Sequence, residues 1–194
     1  MPRKPGYDRD ALIDRARDLF WKQGWSGTSM KDLERTLGLN PGSFYAAFGS
    51  KGALFEIALD RYAETGAKRL QALVKDFGPL GALQRYPALV IDSETAPARA
   101  CMLAKTVLEL KDQDTALSAR ADAHLAAMER LFAGLFAQAQ DAGEIDATRD
   151  ASVMARRYQS DLLGLRVSAE RDSVNAKAIA DEIADSLGRL APAA

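Results

Sequence analysis

The chain has 194 residues, 47% hydrophobic and 27% charged, which is long enough to bury a core without disulfide staples and too evenly mixed for wholesale disorder or a membrane fold. A bilayer span needs roughly 20 apolar residues, whereas the longest stretch free of Asp, Glu, Lys and Arg is residues 36–50, broken by Gly38, Pro41, Gly42 and Gly49. The net charge of −1 is uneven: residues 1–51 hold nine Lys/Arg against six Asp/Glu and the rest 17 against 21, so the front end suits a polyanion.

Charges run through residues 1–18, where a signal peptide would place an apolar stretch, and the chain is expected to stay in the cytoplasm with no membrane partner. Ala and Leu number 60 against 19 for Ile, Val and Thr, and strand-type alternation is missing, so the predicted fold class is all-α with about nine helices. A first helix over about residues 8–23 carries Leu12, Ala16, Leu19 and Phe20 on one stripe, with Gly24 as its stop. Thr28 or Ser29 caps the next, in which Met30, Leu33 and Leu37 recur at helical spacing until Gly38. Asn40 followed by Pro41 restarts the chain as a third short helix over about residues 41–48. A turn this tight makes the two short helices cross steeply and exposes the second for a major groove, the helix-turn-helix arrangement, though the spacing also fits a plain bundle corner.

The segments Gly27-Thr28-Ser29-Met30-Lys31-Asp32-Leu33 and Gly38-Leu39-Asn40-Pro41-Gly42-Ser43-Phe44-Tyr45-Ala46-Ala47-Phe48-Gly49-Ser50-Lys51-Gly52-Ala53-Leu54-Phe55 resemble the DNA-binding domain of TetR-type transcriptional regulators, nearly unbroken from Tyr7 to Tyr62. The resemblance implies a helix-turn-helix domain over residues 1–51 and a ligand-binding and dimerisation domain over residues 52–194. It places Thr28 and Ser29 beside the DNA backbone and gives Tyr45 and Lys51 phosphate contacts. The expected reading surface is Asn40, Pro41, Gly42, Ser43, Tyr45 and Ala46, while Phe44 and Phe48 anchor the helix to the core. No Arg, Lys or Gln projects from residues 41–48, so readout falls to thymine-methyl contacts by Ala46, single hydrogen bonds and DNA shape. Arg3 and Lys4 form a basic arm suited to phosphates or a minor groove, or an idle tail.

Helix four is predicted from Ser50 toward Lys75, ended by Phe77-Gly78-Pro79, and a shorter helix carries Leu80, Leu83 and Leu89 with a kink at Pro87. A loop over residues 92–97 precedes helix six, with Cys101, Ala104 and Leu108 on one stripe, and a seventh helix spans about residues 114–141. In TetR-type proteins these middle helices enclose an inducer cavity, so Tyr62, Cys101, Lys105, His124, Met128, Phe132 and Tyr158 become candidate ligand contacts, although most such positions also read as ordinary core. The run Arg99-Ala100-Cys101-Met102-Leu103-Ala104-Lys105-Thr106-Val107-Leu108-Glu109-Leu110 is similar to the Gly-Cys-Leu segment of one TetR subgroup, some members of which sense electrophiles or oxidants through that cysteine. Here Ala100 stands for the glycine and Lys105 for an asparagine, one turn from Cys101; an inert buried thiol is the other reading.

The last two helices, over about residues 150–170 and 174–190, present Tyr158, Leu162, Leu165, Ile179, Ile183 and Leu187, with Gly164, Ala180, Ala184 and Gly188 permitting close approach. The family pairs these helices with those of a second copy, although both stripes can also be satisfied within one chain. The implied function is a homodimeric repressor of a palindromic operator on double-stranded DNA, released by a small-molecule or electrophilic inducer. One cysteine and one histidine cannot build a thiolate or imidazole zinc cage, and no G-x-S-x-G, Walker or G-x-G-x-x-G motif occurs, so neither enzyme nor cofactor is expected. The alternative is a small helical enzyme using carboxylates and His124, or a ligand-carrying bundle without DNA binding.

Overall fold

The computed structural model describes residues 8–92 and 96–191. Its regular structure is helical throughout: α1 (Arg9–Gln23), α2 (Met30–Leu37), α3 (Pro41–Phe48), α4 (Lys51–Ile91), α5 (Met102–Leu110), α6 (Thr115–Asp141), α7 (Ala151–Ser168) and α8 (Ala176–Gly188). The helix starts follow from their caps. Asp8 accepts from the Asp10 amide at 3.0 Å, Ser29 and Asp32 form a reciprocal capping box, Asn40 accepts from Ser43, and Ser50 accepts from Ala53. Each satisfies an amide that the first turn leaves without an intrahelical partner.

The expected count of about nine helices and the eight observed differ at one place. α4 continues across Gly78, whose φ of 71° and ψ of 177° are not helical, so the segment is two helices abutting at a kink, with Pro79 opening the second where its missing N–H costs nothing. Pro87 was expected to kink the chain, yet Gly78 is the position in α4 with non-helical geometry. Because Pro87 has no N–H, the carbonyl of Leu83 four residues earlier loses its helical donor. The buried Tyr158 hydroxyl donates to that carbonyl at 2.6 Å, so the vacancy in one helix is filled from another.

Two cores result. The first joins α1, α2, α3 and the start of α4 to α5 and the start of α6 through Leu12, Phe20, Phe44, Phe55, Met102 and Leu110. The second joins the far part of α4 to α6, α7 and α8 through Leu83, Tyr86, Phe132, Phe136 and Leu165. Phe132 stands edge-on to Tyr158, ring centroids 4.9 Å apart, and side chains of this size each contribute about 1.5–3 kcal/mol by leaving water. Both α4 and α6 run from one core into the other.

This packing corrects the expected interface stripe. Tyr158, Leu162, Leu165, Ile183 and Leu187 are buried within the chain and Ile179 is half-buried against the second core. An amphipathic helix has one strongly apolar face, and here that face is spent on the chain's own core. Outward-facing positions of α7 include Val153, Ser160, Gly164 and Val167, all exposed.

Candidate nucleic-acid interface and ligand cavity

The reading helix is built from the inside out. Phe44 is fully buried and Phe48 is 5% exposed, which pins one face of α3 to the first core and turns the opposite face outward. Pro41, Gly42, Tyr45 and Ala46 are exposed there, and Tyr45 at 53% exposure stands edge-on to Phe44. Gly38 adopts the left-handed conformation, φ 67° and ψ 31°, which lets α2 stop abruptly before Asn40 begins the next helix. Asn40 is exposed, and its Oδ1 accepts from the Ser43 amide at 2.9 Å; Ser43 is half-buried and Ser29 exposed.

One expected backbone contact, that of Thr28, is corrected. Thr28 is 1% exposed and its hydroxyl donates to the Gly24 carbonyl at 2.7 Å, so it closes the turn between α1 and α2 instead of facing outward. In that turn a Cβ on Gly27 would lie 2.4 Å from the Gln23 carbonyl oxygen, which explains the glycine. Lys51 is half-buried: its Nζ donates to the Trp25 carbonyl at 2.6 Å and sits 4.1 Å from the Trp25 ring centre. Burial lowers the Lys51 pKa and the nearby Glu109 charge opposes that shift. Lys51 therefore ties α4 to the α1–α2 turn. Arg3 and Lys4 lie outside the described residues. Arg9, whose guanidinium stands 5.4 Å from the Phe48 ring, is an exposed cation beside α3 that sequence reading missed; on its own helix it reads as an ordinary solvated charge.

Behind this unit lies a cavity of about 330 Å³. Tyr62, Cys101, Met128 and Phe132 line it as expected, whereas Lys105, His124 and Tyr158 do not. Lys105 Nζ donates to the Trp21 carbonyl at 2.8 Å, His124 Nε2 meets Asp60 Oδ1 at 2.7 Å, and Tyr158 is committed to Leu83. Sequence reading missed Trp21 from α1, Tyr86 and Arg69 from α4, and Gln159 and Arg166 from α7. The signal was present as helical spacing, since Tyr62, Gly66 and Arg69, and likewise Gln159, Leu162, Leu163 and Arg166, share a face. What concealed it is that Arg17, Arg69 and Arg166 read singly as solvent-facing charges. Burial raises the pKa of Tyr62 well above its ordinary value, with the neighbouring Cys101 adding to it, and pushes Tyr86 up to about 12, so both phenols stay protonated at neutral pH.

The cavity wall continues directly into the DNA-facing unit. Trp21 Nε1 donates to the Ala100 carbonyl at 2.6 Å, just before Cys101 and α5. At the far end of α5 the Glu109 carboxylate accepts from the amides of Trp25 at 3.0 Å and Ser26 at 2.8 Å. Burial opposes its charge, but the Ser26 and Trp25 hydrogen bonds and Lys105 outweigh it and hold the pKa below the ordinary carboxylate value. Asp60 of α4 receives Arg120 at 2.9 Å and His124 at 2.7 Å from α6. Arg61 pairs with Asp10 and Asp14 of α1. α1 and its exit turn are thus held from both α4 and α5.

A short exposed helix on a three-helix platform, joined through α4 and α5 to a small-molecule-sized cavity, defines a helix-turn-helix DNA-binding protein. The family described as "Bacterial regulatory proteins, tetR family" matches residues 12–58, and "Tetracyclin repressor-like, C-terminal domain" matches residues 79–180. The chain belongs to the TetR family and is a DNA-binding transcriptional regulator, not an enzyme. The HTH-type transcriptional repressor ComR of Escherichia coli (strain K12) is 29% identical to it over 191 residues, 96% of this chain and 90% of that protein. A TetR family regulator from Cytophaga hutchinsonii shares the fold with a TM-score of 0.84 at 20% identity, covering 96% of each chain. A cysteine-substituted form of the TetR family regulator CifR, complexed with 26-base-pair double-strand operator DNA, superposes with a TM-score of 0.83 at 26% identity over 98% of this chain and 100% of that one. The enzyme and carrier alternatives find no support in these relatives. Among the described residues, no helix is long and apolar enough to cross a membrane.

Proposed function

We propose that the chain acts as a homodimeric repressor of a two-fold-symmetric operator and lets go when a small molecule fills the cavity. The observation that carries this reading is that Trp21, a residue of α1, forms part of the cavity wall, so an occupant touches the DNA-binding unit itself. The reading surface is Pro41, Gly42, Tyr45 and Ala46, with Ser29 and Asn40 beside it, all exposed. Two copies joined through the outer faces of α7 and α8 present two such helices to grooves one or more turns apart, roughly 34 Å per turn. ComR is a transcriptional repressor, and CifR is seen on operator DNA; both support the same role here. Release follows when the ligand prefers the conformation with mis-spaced reading helices, by no more than its affinity ratio for the two states.

The test is to insert a charge into the outer face. Wild-type protein is expected at twice the 21.0 kDa chain mass by light scattering and to shift DNA from upstream of its own gene. Val167→Glu, at a position 59% exposed, is expected to be monomeric, normally helical and roughly a hundredfold weaker on that DNA through lost avidity. A wild-type monomer, or a Val167→Glu variant that still dimerises and binds fully, refutes the arrangement.

A further inference from the structure

We infer that the cavity takes a small aromatic carboxylate that also carries a hydrogen-bond donor, with its carboxylate on Arg166 and its donor on Gln159. The inference rests on reading the cavity as the ligand site and names the chemistry of the occupant.

Charge comes first. Three arginines and one carboxylate, Asp18, are on the wall. Arg17 is already spoken for, lying 3.0 Å from Asp14 and 2.8 Å from Asp18. Arg166 pairs with no carboxylate among the described residues. Its Nε donates to the Arg99 carbonyl at 2.8 Å, and its guanidinium lies 5.7 Å from the Trp21 ring centre and 6.0 Å from that of Tyr62. A guanidinium has five donors in a planar fork, so the terminal nitrogens remain for an acceptor, and carboxylate geometry matches them. Arg69 adds a second cation on an exposed part of the wall. A cationic ligand meets the wrong sign of charge here.

The second feature is an orphaned acceptor. Gln159 Oε1 is buried without a hydrogen-bond partner, alone among the side-chain atoms of the described residues, and Gln159 lies on the cavity wall. Native proteins rarely leave such an oxygen unpaired, and a ligand hydroxyl or N–H supplies the missing donor. Gln159 and Arg166 are seven residues apart on one face of α7, about 10.5 Å along the axis. Both side chains line the same cavity, so a planar ring bearing a carboxylate and a hydroxyl at opposite ends can address the two together. Trp21, Tyr62, Tyr86 and Phe132 offer ring faces and edges to a planar occupant. The volume of about 330 Å³ stands at the low end of the roughly 300–1,000 Å³ typical of small-molecule sites, which favours one ring over an extended molecule.

The experiment titrates the full chain with 4-hydroxybenzoate, benzoate and the neutral isostere 4-hydroxybenzamide, read by calorimetry and by the tryptophan fluorescence to which Trp21 contributes. 4-Hydroxybenzoate is expected to bind about tenfold or more tighter than the amide, as a charge-assisted pair requires. Arg166→Gln should erase that preference while keeping the amide's affinity, and Arg166→Lys, which retains the charge, should keep most of it. Gln159→Leu should weaken 4-hydroxybenzoate and leave benzoate unchanged. Equal affinity for acid and amide, a preference that survives Arg166→Gln, or no binding by either acid at millimolar concentration overturns the inference. Operator release, followed by fluorescence anisotropy, separates the two readings. Release by neutral compounds alone keeps the regulator and overturns the carboxylate. Arg166-dependent carboxylate binding that leaves operator affinity untouched keeps the ligand class and overturns release.

Discussion

Replacing Glu109 by alanine tests whether α5 holds the DNA-binding unit in place. The carboxylate accepts from two backbone amides, Trp25 at 3.0 Å and Ser26 at 2.8 Å, across more than eighty residues of sequence. A hydrogen bond to a charged group contributes about 1.5–3 kcal/mol when well shielded. Glu109 is half-exposed, and solvent competition reduces the pair to about 2 kcal/mol together. For a chain of this length that is a fall in melting temperature of about 4–8 °C. Glu109→Gln, which keeps one acceptor oxygen and loses the charge, should cost about half as much. The pH dependence supplies an independent check. The folded-state pKa lies below the ordinary 4.5, so the unfolded chain takes up the proton first. The stabilisation is therefore whole above pH 4.5 and fades as pH falls through the folded-state value. Thermal melts of wild type and Glu109→Ala followed by circular dichroism between pH 7 and pH 3 should converge toward the acid end. With the turn leading into α2 released, operator affinity without ligand should also drop. Equal melting temperatures at pH 7, or a deficit of constant size down to pH 3, would refute the assignment of Glu109 as a charged tether.

Two further outcomes are expected. Tyr45→Ala, at an exposed position of α3, should alter stability by no more than about 0.5 kcal/mol yet weaken DNA binding across all sequences in an anisotropy titration, with Tyr45→Phe reproducing most of the loss if the hydroxyl meets phosphate; unchanged affinity in both would remove Tyr45 from the interface. Asp60→Asn should destabilise the α4–α6 contact by about 1–2 kcal/mol at pH 7. Burial opposes the Asp60 charge, but Arg120 and His124 outweigh it and keep its pKa below 3.8, so the clamp is complete above pH 3.8 and lost beneath the folded-state value. A urea-melt deficit that does not narrow in acid would argue against the ionic clamp.

The helix-turn-helix unit was legible because its signals are local. Caps such as Ser29, Asn40 and Ser50, the stop at Gly38 and the buried pair Phe44 and Phe48 act within a few residues of one another, and each does in the structure what its spacing predicts. The cavity was half legible. Tyr62, Cys101, Met128 and Phe132 were reachable because large and soft side chains on interior stripes line cavities as readily as they fill cores. Lys105, His124 and Tyr158 occupy similar stripes but find protein partners, namely the Trp21 carbonyl, Asp60 and the carbonyl that Pro87 leaves open. Nothing within a single helix reveals such partners.

The sequence by itself determined where helices start and stop, which faces are apolar, and that the second short helix follows a tight turn, since these depend on backbone chemistry and periodicity over a turn or two. Only the tertiary structure decided that the stripes of α7 and α8 are consumed by the chain's own core, that Lys51 and Thr28 turn onto the α1–α2 turn, and that Arg166 and Gln159 converge with Trp21 on one cavity. The reason is physical: an apolar face or a long charged side chain carries no address, and its partner is chosen by which surfaces and carbonyls the packed helices bring within a few ångströms.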